Sequence, residues 1–312
     1  MALNAYLTAV QNLLGTGSGG ALYPTATLTT YINTARNQIA AEGQCVRVLP
    51  PINGPITSIT VTNSGAGYTS TPTVTISAPD SLSGLANNPG GLQATASAVV
   101  AGTKVTSITL QNPGAGYFQP VVTITSGGGT GAVAVAVVSG INVTTLQQEV
   151  YPFSSVNPLV ATSGSGVSSI LSVNSISLIF ATFRYTLIRL SFSRYQAYVR
   201  NYTAGYLDVP VVFTQFAQGG GGSVYLYPLP NQQYQMEWDT CCLPSPLLVD
   251  TDIEALPYPW TDAVPFLAAY YAFSGKQRFT DADRMWAEFE KFMKRARQMS
   301  NPRGTINHYG RG

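Results

Sequence analysis

The chain has 312 residues, long enough for two domains, and a net charge of +2. Hydrophobic residues make up 45%, but charged residues only 10%, against roughly 25% in ordinary soluble domains. Such a balance is too weakly basic to make nucleic acid the main partner, and it suits surfaces that meet other proteins. Nine of the sixteen Lys and Arg residues follow Gly275, so the basic charge gathers at the C-terminal end.

Three cysteines, Cys45, Cys241 and Cys242, supply neither a disulfide framework nor a CxxC pair. The single histidine, His308, excludes a His/Cys zinc site. No run of about 18 apolar residues and no charged-then-apolar leader is present, so the expectation is a protein neither secreted by the usual route nor membrane-spanning.

Residues Ala2 to Leu14 predict a short amphipathic helix with Tyr6, Leu7, Val10, Leu13 and Leu14 on one face. The linker Gly15 to Gly20 spells GxGxxG, but it follows a helix and no βαβ unit surrounds it, so a dinucleotide site is not expected. A second helix is predicted from about Thr27 to Glu42, with Gly43 as its stop.

At Pro50 the composition changes. From Pro51 to Phe180 the only charged residues are Asp80, Lys104 and Glu149. A repeat appears here. Ile56 to Tyr68 (ITSITVTNSGAGY) returns as Val105 to Tyr117 (VTSITLQNPGAGY), with nine of thirteen positions identical. Each copy continues through a proline (Pro72, Pro120) into an alternating strand, then a small-residue strand, then a glycine turn at Gly102 or Gly140. Gly65, Gly67, Gly114 and Gly116 allow positive-φ turns, and Tyr68 and Tyr117 can pack over those turns. Two copies of one unit can bury each other's apolar faces. The unit resembles the GxGY β-repeats found as add-on modules in phage structural proteins, which implies either a plain β-sandwich insertion with no binding role or a decoration that touches neighbouring subunits or host-surface glycans, with Tyr68 or Tyr117 as a stacking platform.

Strands are expected over Val143 to Phe153 and Ile170 to Phe180, joined by a Ser/Gly loop at Thr162 to Ser169, and a helix over Leu190 to Arg200. Strands at Val209 to Phe216 and Val224 to Pro228 flank the tetraglycine Gly219, Gly220, Gly221, Gly222, which reads as a hairpin turn. Tyr234 to Thr240 alternates Tyr234, Met236 and Trp238 with Gln235, Glu237 and Asp239, a strand with one buried face.

The end of the chain predicts two helices. The first, about Trp260 to Ser274, is apolar on nearly every side. The second opens at Thr280 with Asp283 three residues on, a variant of the capping box, and carries Met285, Trp286, Phe289, Phe292, Met293 and Ala296 at helical spacing. After Glu290 there are six basic residues and no acid; Asn301-Pro302 is expected to stop the helix, and Arg303 to Gly312 has too little apolar content to fold alone.

No constellation argues for an enzyme. Asp250, Asp252 and Glu254 lack the Gly and the terminal Glu of an EF-hand and predict an exposed loop. Glu237 and Asp239 point the same way on one strand, unlike a glycosidase pair. No catalytic residue, metal site or cofactor is expected.

Asp262 to Ala272 (DAVPFLAAYYA) and Asp283 to Gln298 (DRMWAEFEKFMKRARQ) resemble the C-terminal helices of head-to-tail adaptor proteins of tailed bacteriophages. Phe183 to Arg189, Phe192 to Gln196, Val224 to Pro230 and Tyr234 to Asp239 are similar to the β-core and connecting helix of the same family. The resemblance covers about 1–50 and 142–303. It implies an α+β fold: N- and C-terminal helices forming a bundle with a small antiparallel β core, plus an inserted all-β repeat domain at 51–141 (repeats about 56–102 and 105–140). The core would be 1–50 and 142–312, with a C-terminal arm from about 297.

The resemblance also implies a virion protein of the phage neck, assembled in the host cytoplasm as a homo-oligomer, a twelve-membered ring in its family. The portal protein and tail nozzle or tail-tube proteins would be its partners; DNA would pass through the channel without sequence-specific recognition, and no membrane is implied. The portal-docking arm would use Arg295, Arg297, Gln298, Asn301, Arg303, His308, Tyr309 and Arg311, and Gly219 to Gly222 would face the tail. The alternative is a glycan- or receptor-binding β module on a helical anchor.

Overall fold

The computed structural model describes residues 2–15, 22–80, 91–156, 166–180, 183–199 and 205–300. The elements in chain order are α1 (Leu3–Leu14), α2 (Thr25–Gly43), β1 (Arg47–Val48), β2 (Ile56–Ala66), β3 (Thr73–Ile76), β4 (Thr95–Ala101), β5 (Lys104–Asn112), β6 (Val122–Thr125), β7 (Thr130–Val138) and β8 (Val150–Pro152). There follow β9 (Val167–Phe180), β10 (Phe183–Thr186), β11 (Ile188–Leu190), α3 (Phe192–Tyr198), β12 (Leu207–Asp208), β13 (Val212–Phe216), β14 (Ser223–Tyr227), β15 (Leu229–Pro230), β16 (Gln235–Pro244), α4 (Val264–Gly275) and α5 (Phe279–Ser300).

The expected helical bundle with a small β core is overturned. Among the described residues the protein is predominantly β, with 37% strand, a half-barrel sheet and about 31% helix in five helices. The physical reason is that the helices do not bury their apolar faces on one another alone. Leu28, Ile32, Leu267 and Phe289 share one core with Val173, Ile176, Trp238 and Cys242 of the long strands β9 and β16. Apolar spacing told which faces are buried, not against what.

Two four-stranded sheets organise this core, ordered β1-β16-β9-β10 and β11-β13-β14-β8. The β16–β9 ladder runs antiparallel from Gln235↔Ile179 to Pro244↔Val167, with register shifts at Asp239/Thr240, Cys241/Cys242 and Leu243/Pro244. Such irregularities bend and twist a ladder. Met236, Trp238 and Tyr234 are buried as the alternation predicts, but Gln235 is buried too; its amide donates to the Ile52 carbonyl, 2.9 Å away, and to Asn53 Oδ1. That pairing satisfies a polar group that alternation would place outside.

The repeats are interlocked. The first strand of each pairs with the third strand of the other, β2 with β7 and β5 with β4, and the middle strands β3 and β6 pair together. A second core, Ile56, Ile59, Tyr68, Ile76, Ala94, Ala98, Val105, Ile108, Tyr117 and Ala134, is drawn wholly from these strands and their turns.

Several boundaries moved. Only Val150–Pro152 of the strand expected over Val143 to Phe153 is regular, with an isolated bridge Val143↔Gln235. The helix expected over Leu190 to Arg200 starts at Phe192, because Leu190 still pairs with Thr214 in the β11–β13 ladder. α5 begins at Phe279, one residue before the expected cap, so Thr280 lies inside the first turn. In place of a capping box, Arg278 and Asp281 form an i,i+3 ion pair at 2.6 Å. The linker at 16–20, and residues 162–165 of the expected Ser/Gly loop, lie outside the described residues; Ser168 and Ser169 belong to β9.

Candidate assembly surface

The C-terminal helix carries the residues the sequence singled out. α5 buries Ala282, Phe289, Met293 and Ala296 and stacks Phe292 on Phe266 of α4, with centroids 4.8 Å apart. Trp286 packs between Tyr270 and Phe289, 5.2 Å from each. A groove of about 730 Å³ runs along this helix beside the end of α2. Trp286, Phe289 and Met293 form its apolar floor; Glu42, Glu290, Lys294, Arg297 and Gln298 supply polar walls.

Charge on this surface is only partly answered. Arg297 Nη2 lies 3.8 Å from Glu42 Oε2, an exposed and therefore weak pair. Trp286 Nε1–H donates to Glu290 Oε1 at 2.9 Å. Among the described residues Lys294 and Arg295 have no ion-pair partner and are exposed. The helix end is tied down: Trp260 Nε1–H donates to Ser300 Oγ at 2.9 Å, and Ser300 Oγ–H donates to the Ala296 carbonyl at 2.7 Å. The Trp260 ring lies so close to Gly43 that a Cβ there would sit 2.5 Å from it. Ser300 is therefore held beside α2, at the basic end of the groove. Of the expected arm, Arg295, Arg297 and Gln298 stand on this surface; Asn301, Arg303, His308, Tyr309 and Arg311 lie outside the described residues.

The tetraglycine is a short 3-10 turn between β13 and β14. Cβ atoms at Gly219, Gly220 and Gly221 would meet open space, but one at Gly222 would strike the Phe153 ring. Gly222 also accepts from Phe153 N–H at 2.9 Å. Only the first three glycines form an unencumbered tip.

The repeat turns are built for packing. Tyr68 and Tyr117 are 2% and 0% exposed, so neither ring offers the stacking platform considered for glycans. Each hydroxyl instead reaches the other repeat, accepting from Ala132 N–H at 3.4 Å and from Ala94 N–H at 2.8 Å. Gly65 and Gly114 have φ of +62° and +63°, and a Cβ at either would sit 2.5 Å from a facing carbonyl, Thr130 or Leu92. Gly67 and Gly116 share the positive-φ region at +82° and +83°. Sequence reasoning missed the third part of this device. Asn63 Oδ1 accepts from Gly65 N–H at 3.0 Å and Asn112 Oδ1 from Gly114 N–H at 2.9 Å, a side chain mimicking the turn. The Asn common to both copies was its signal.

The carboxylates set aside as loop residues have separate structural tasks. Glu254 is buried against Arg36, with Nη2 to Oε1 at 2.7 Å and both side chains at most 4% exposed. Arg36 Nη1 also donates to Asn33 Oδ1 and the Ser245 carbonyl at 3.0 and 2.7 Å. An exposed-loop expectation thus fails for Glu254, and no sequence spacing links it to Arg36, 218 residues away. Asp252 accepts from Leu248 N–H and Val249 N–H, which hold its carboxyl below the usual range. Asp250 accepts from Asn4 N–H at 2.9 Å. Glu237 pairs with Arg184 and Asp239 with Arg47, each on a different strand.

Burial pushes the Cys45 thiol up to about 12 and the Cys242 thiol up to about 11, which keeps both protonated and unreactive at neutral pH. Among the described residues no three His, Cys, Asp or Glu side chains gather as metal ligands, and no helix is long and apolar enough to cross a membrane. Comparison with protein-family models and with curated proteins gave no match.

Proposed function

We propose that this chain is a structural assembly subunit, a head-to-tail adaptor that joins the portal to the tail of a tailed bacteriophage. One observation carries the reading: the anchored basic end of α5, where Arg295 and Lys294 stand unanswered beside a groove with an apolar floor and polar walls, and the sequence continues to Arg303 and Arg311. With the expected bundle overturned, the resemblance of the α4 and α5 segments supports the reading as local sequence likeness and not as a fold argument.

In this reading the arm beyond Ser300 docks on the portal. Arginines make charge-assisted contacts to carboxylates there. A segment that orders on docking loses chain entropy, and many copies in one ring offset that loss through multivalency. The Gly219–Gly221 tip faces the tail, and DNA passes the ring without being read. Low formal charge fits a subunit whose surfaces are completed by neighbours.

Deleting Arg303 to Gly312 tests the reading. The truncated protein should melt as the full chain does yet no longer co-sediment with portal rings. Unchanged co-sedimentation would refute the docking arm. The glycan-binding alternative has lost its platform, since both repeat tyrosines are buried.

A further inference from the structure

The two repeat ribbons differ on one face only. The first strand of each repeat lends the same three exposed residues, Ser58, Thr60 and Asn63 on β2 and Ser107, Thr109 and Asn112 on β5. Inward positions of the partner strands match too, Ala134 and Ala136 on β7 against Ala96 and Ala98 on β4. The outward positions do not match. β4 sets Thr95, Ser97 and Val99 opposite Asn112, Thr109 and Ser107, whereas β7 sets Val133, Val135 and Val137 opposite Asn63, Thr60 and Ser58. One ribbon folds with hydroxyls at two of these places, so strand pairing and the inner core do not require the valines of the other. All three valines are about half exposed.

Charge and shape narrow what covers this stripe. β2 and β7 carry no charged residue, and residues 51–141 carry only Asp80 and Lys104. The Asp80 carboxylate accepts from Phe118 N–H and Gln119 N–H at 2.9 and 3.0 Å, and Lys104 belongs to β5. A charged surface laid on the stripe would lose hydration with no counter-charge in return. A second copy of the stripe brings no such cost. Thr57 Oγ–H and Thr62 Oγ–H already donate to the Val137 and Val133 carbonyls, at 3.1 and 3.2 Å, so drying the face orphans neither acceptor. Val135 lies two residues from each of the others, so a two-fold axis through it sets Val133 of one copy on Val137 of the other. By strand spacings the three rows cover on the order of 200 Å², against about 800 Å² per partner in a stable interface. The contact is therefore weak and reversible, helped by β-branched side chains that have little rotamer freedom to lose.

We propose that the Val133–Val135–Val137 stripe is a homotypic contact, on which the same stripe of a second copy packs about a two-fold axis. It does not depend on the C-terminal arm and is measured without portal, so the two readings can fail separately.

Disulfide trapping of the full chain under copper–phenanthroline and air tests it. Val135→Cys sits on the axis and should link to a second copy about tenfold faster than Ser97→Cys, its counterpart on the other ribbon. The unaltered chain, whose Cys45 is half-buried and whose other two thiols are buried, sets the background. Should Val135→Cys unfold, Thr60→Cys, its neighbour on the same face, takes its place. In sedimentation across a concentration series, Val133→Thr with Val135→Ser should abolish self-association at unchanged melting temperature. Thr95→Val with Ser97→Val should build a second stripe and strengthen it. The idea is overturned if Val135→Cys links no faster than Ser97→Cys, if self-association survives the Thr and Ser substitutions, or if Val135→Cys links to portal rings in preference to its own copy.

Discussion

The two repeat tyrosines are a matched pair in unequal circumstances. Tyr117 is fully buried and accepts at 2.8 Å, a well-formed bond, while Tyr68 accepts at 3.4 Å, near the limit of one. Tyr117→Phe leaves the buried Ala94 N–H without that partner and should cost about 1–3 kcal/mol. Tyr68→Phe should cost less than half as much. Chemical denaturation of the two variants checks the order, and negligible losses in both would show that ring packing, not the hydroxyl, holds these turns. At this scale the glycines and tyrosines were legible because identity across two copies marks the positions a turn demands. The buried Arg36–Glu254 pair was not, since side chains 218 residues apart leave no local period. Removing one member of such a pair is costly because the other stays charged and dry.

Among the elements, interlocked repeats provide an internal control. The outward positions of β4 are Thr95, Ser97 and Val99; the matching positions of β7 are Val133, Val135 and Val137, which are 52%, 53% and 46% exposed. One ribbon thus keeps the same pairing with polar residues where the other has valine. Changing Val133 to Thr and Val135 to Ser should therefore shift stability by less than about 1 kcal/mol, within the spread of strand propensity. A loss of several kcal/mol in thermal melts would mean that these valines are packed in the monomer. Element type followed from periodicity for α1, α2, α5 and the repeat strands. It failed where tertiary pairing overrode local pattern: Leu190 was kept in a ladder, and Val143 to Gln148 was left out of one. The tetraglycine was rightly a turn, but Phe153, 69 positions away in the chain, decides that Gly222 is not part of its free tip.

Over the whole molecule, low charge and a basic C-terminal end were visible in composition alone, and the change at Pro50 marks where the second core begins. The helical bundle was the main misreading. Amphipathic faces reveal that something is buried, and only the structure reveals that long strands β9 and β16 share the burial. At this scale a basic helix end anchored beside a groove with an apolar floor and polar walls supports the assembly proposal. The most direct measurement is the native mass of the full chain mixed with purified portal rings. The account predicts one discrete complex holding many copies per portal, formed at the expense of free chain. A free monomer that leaves the portal mass unchanged would contradict it.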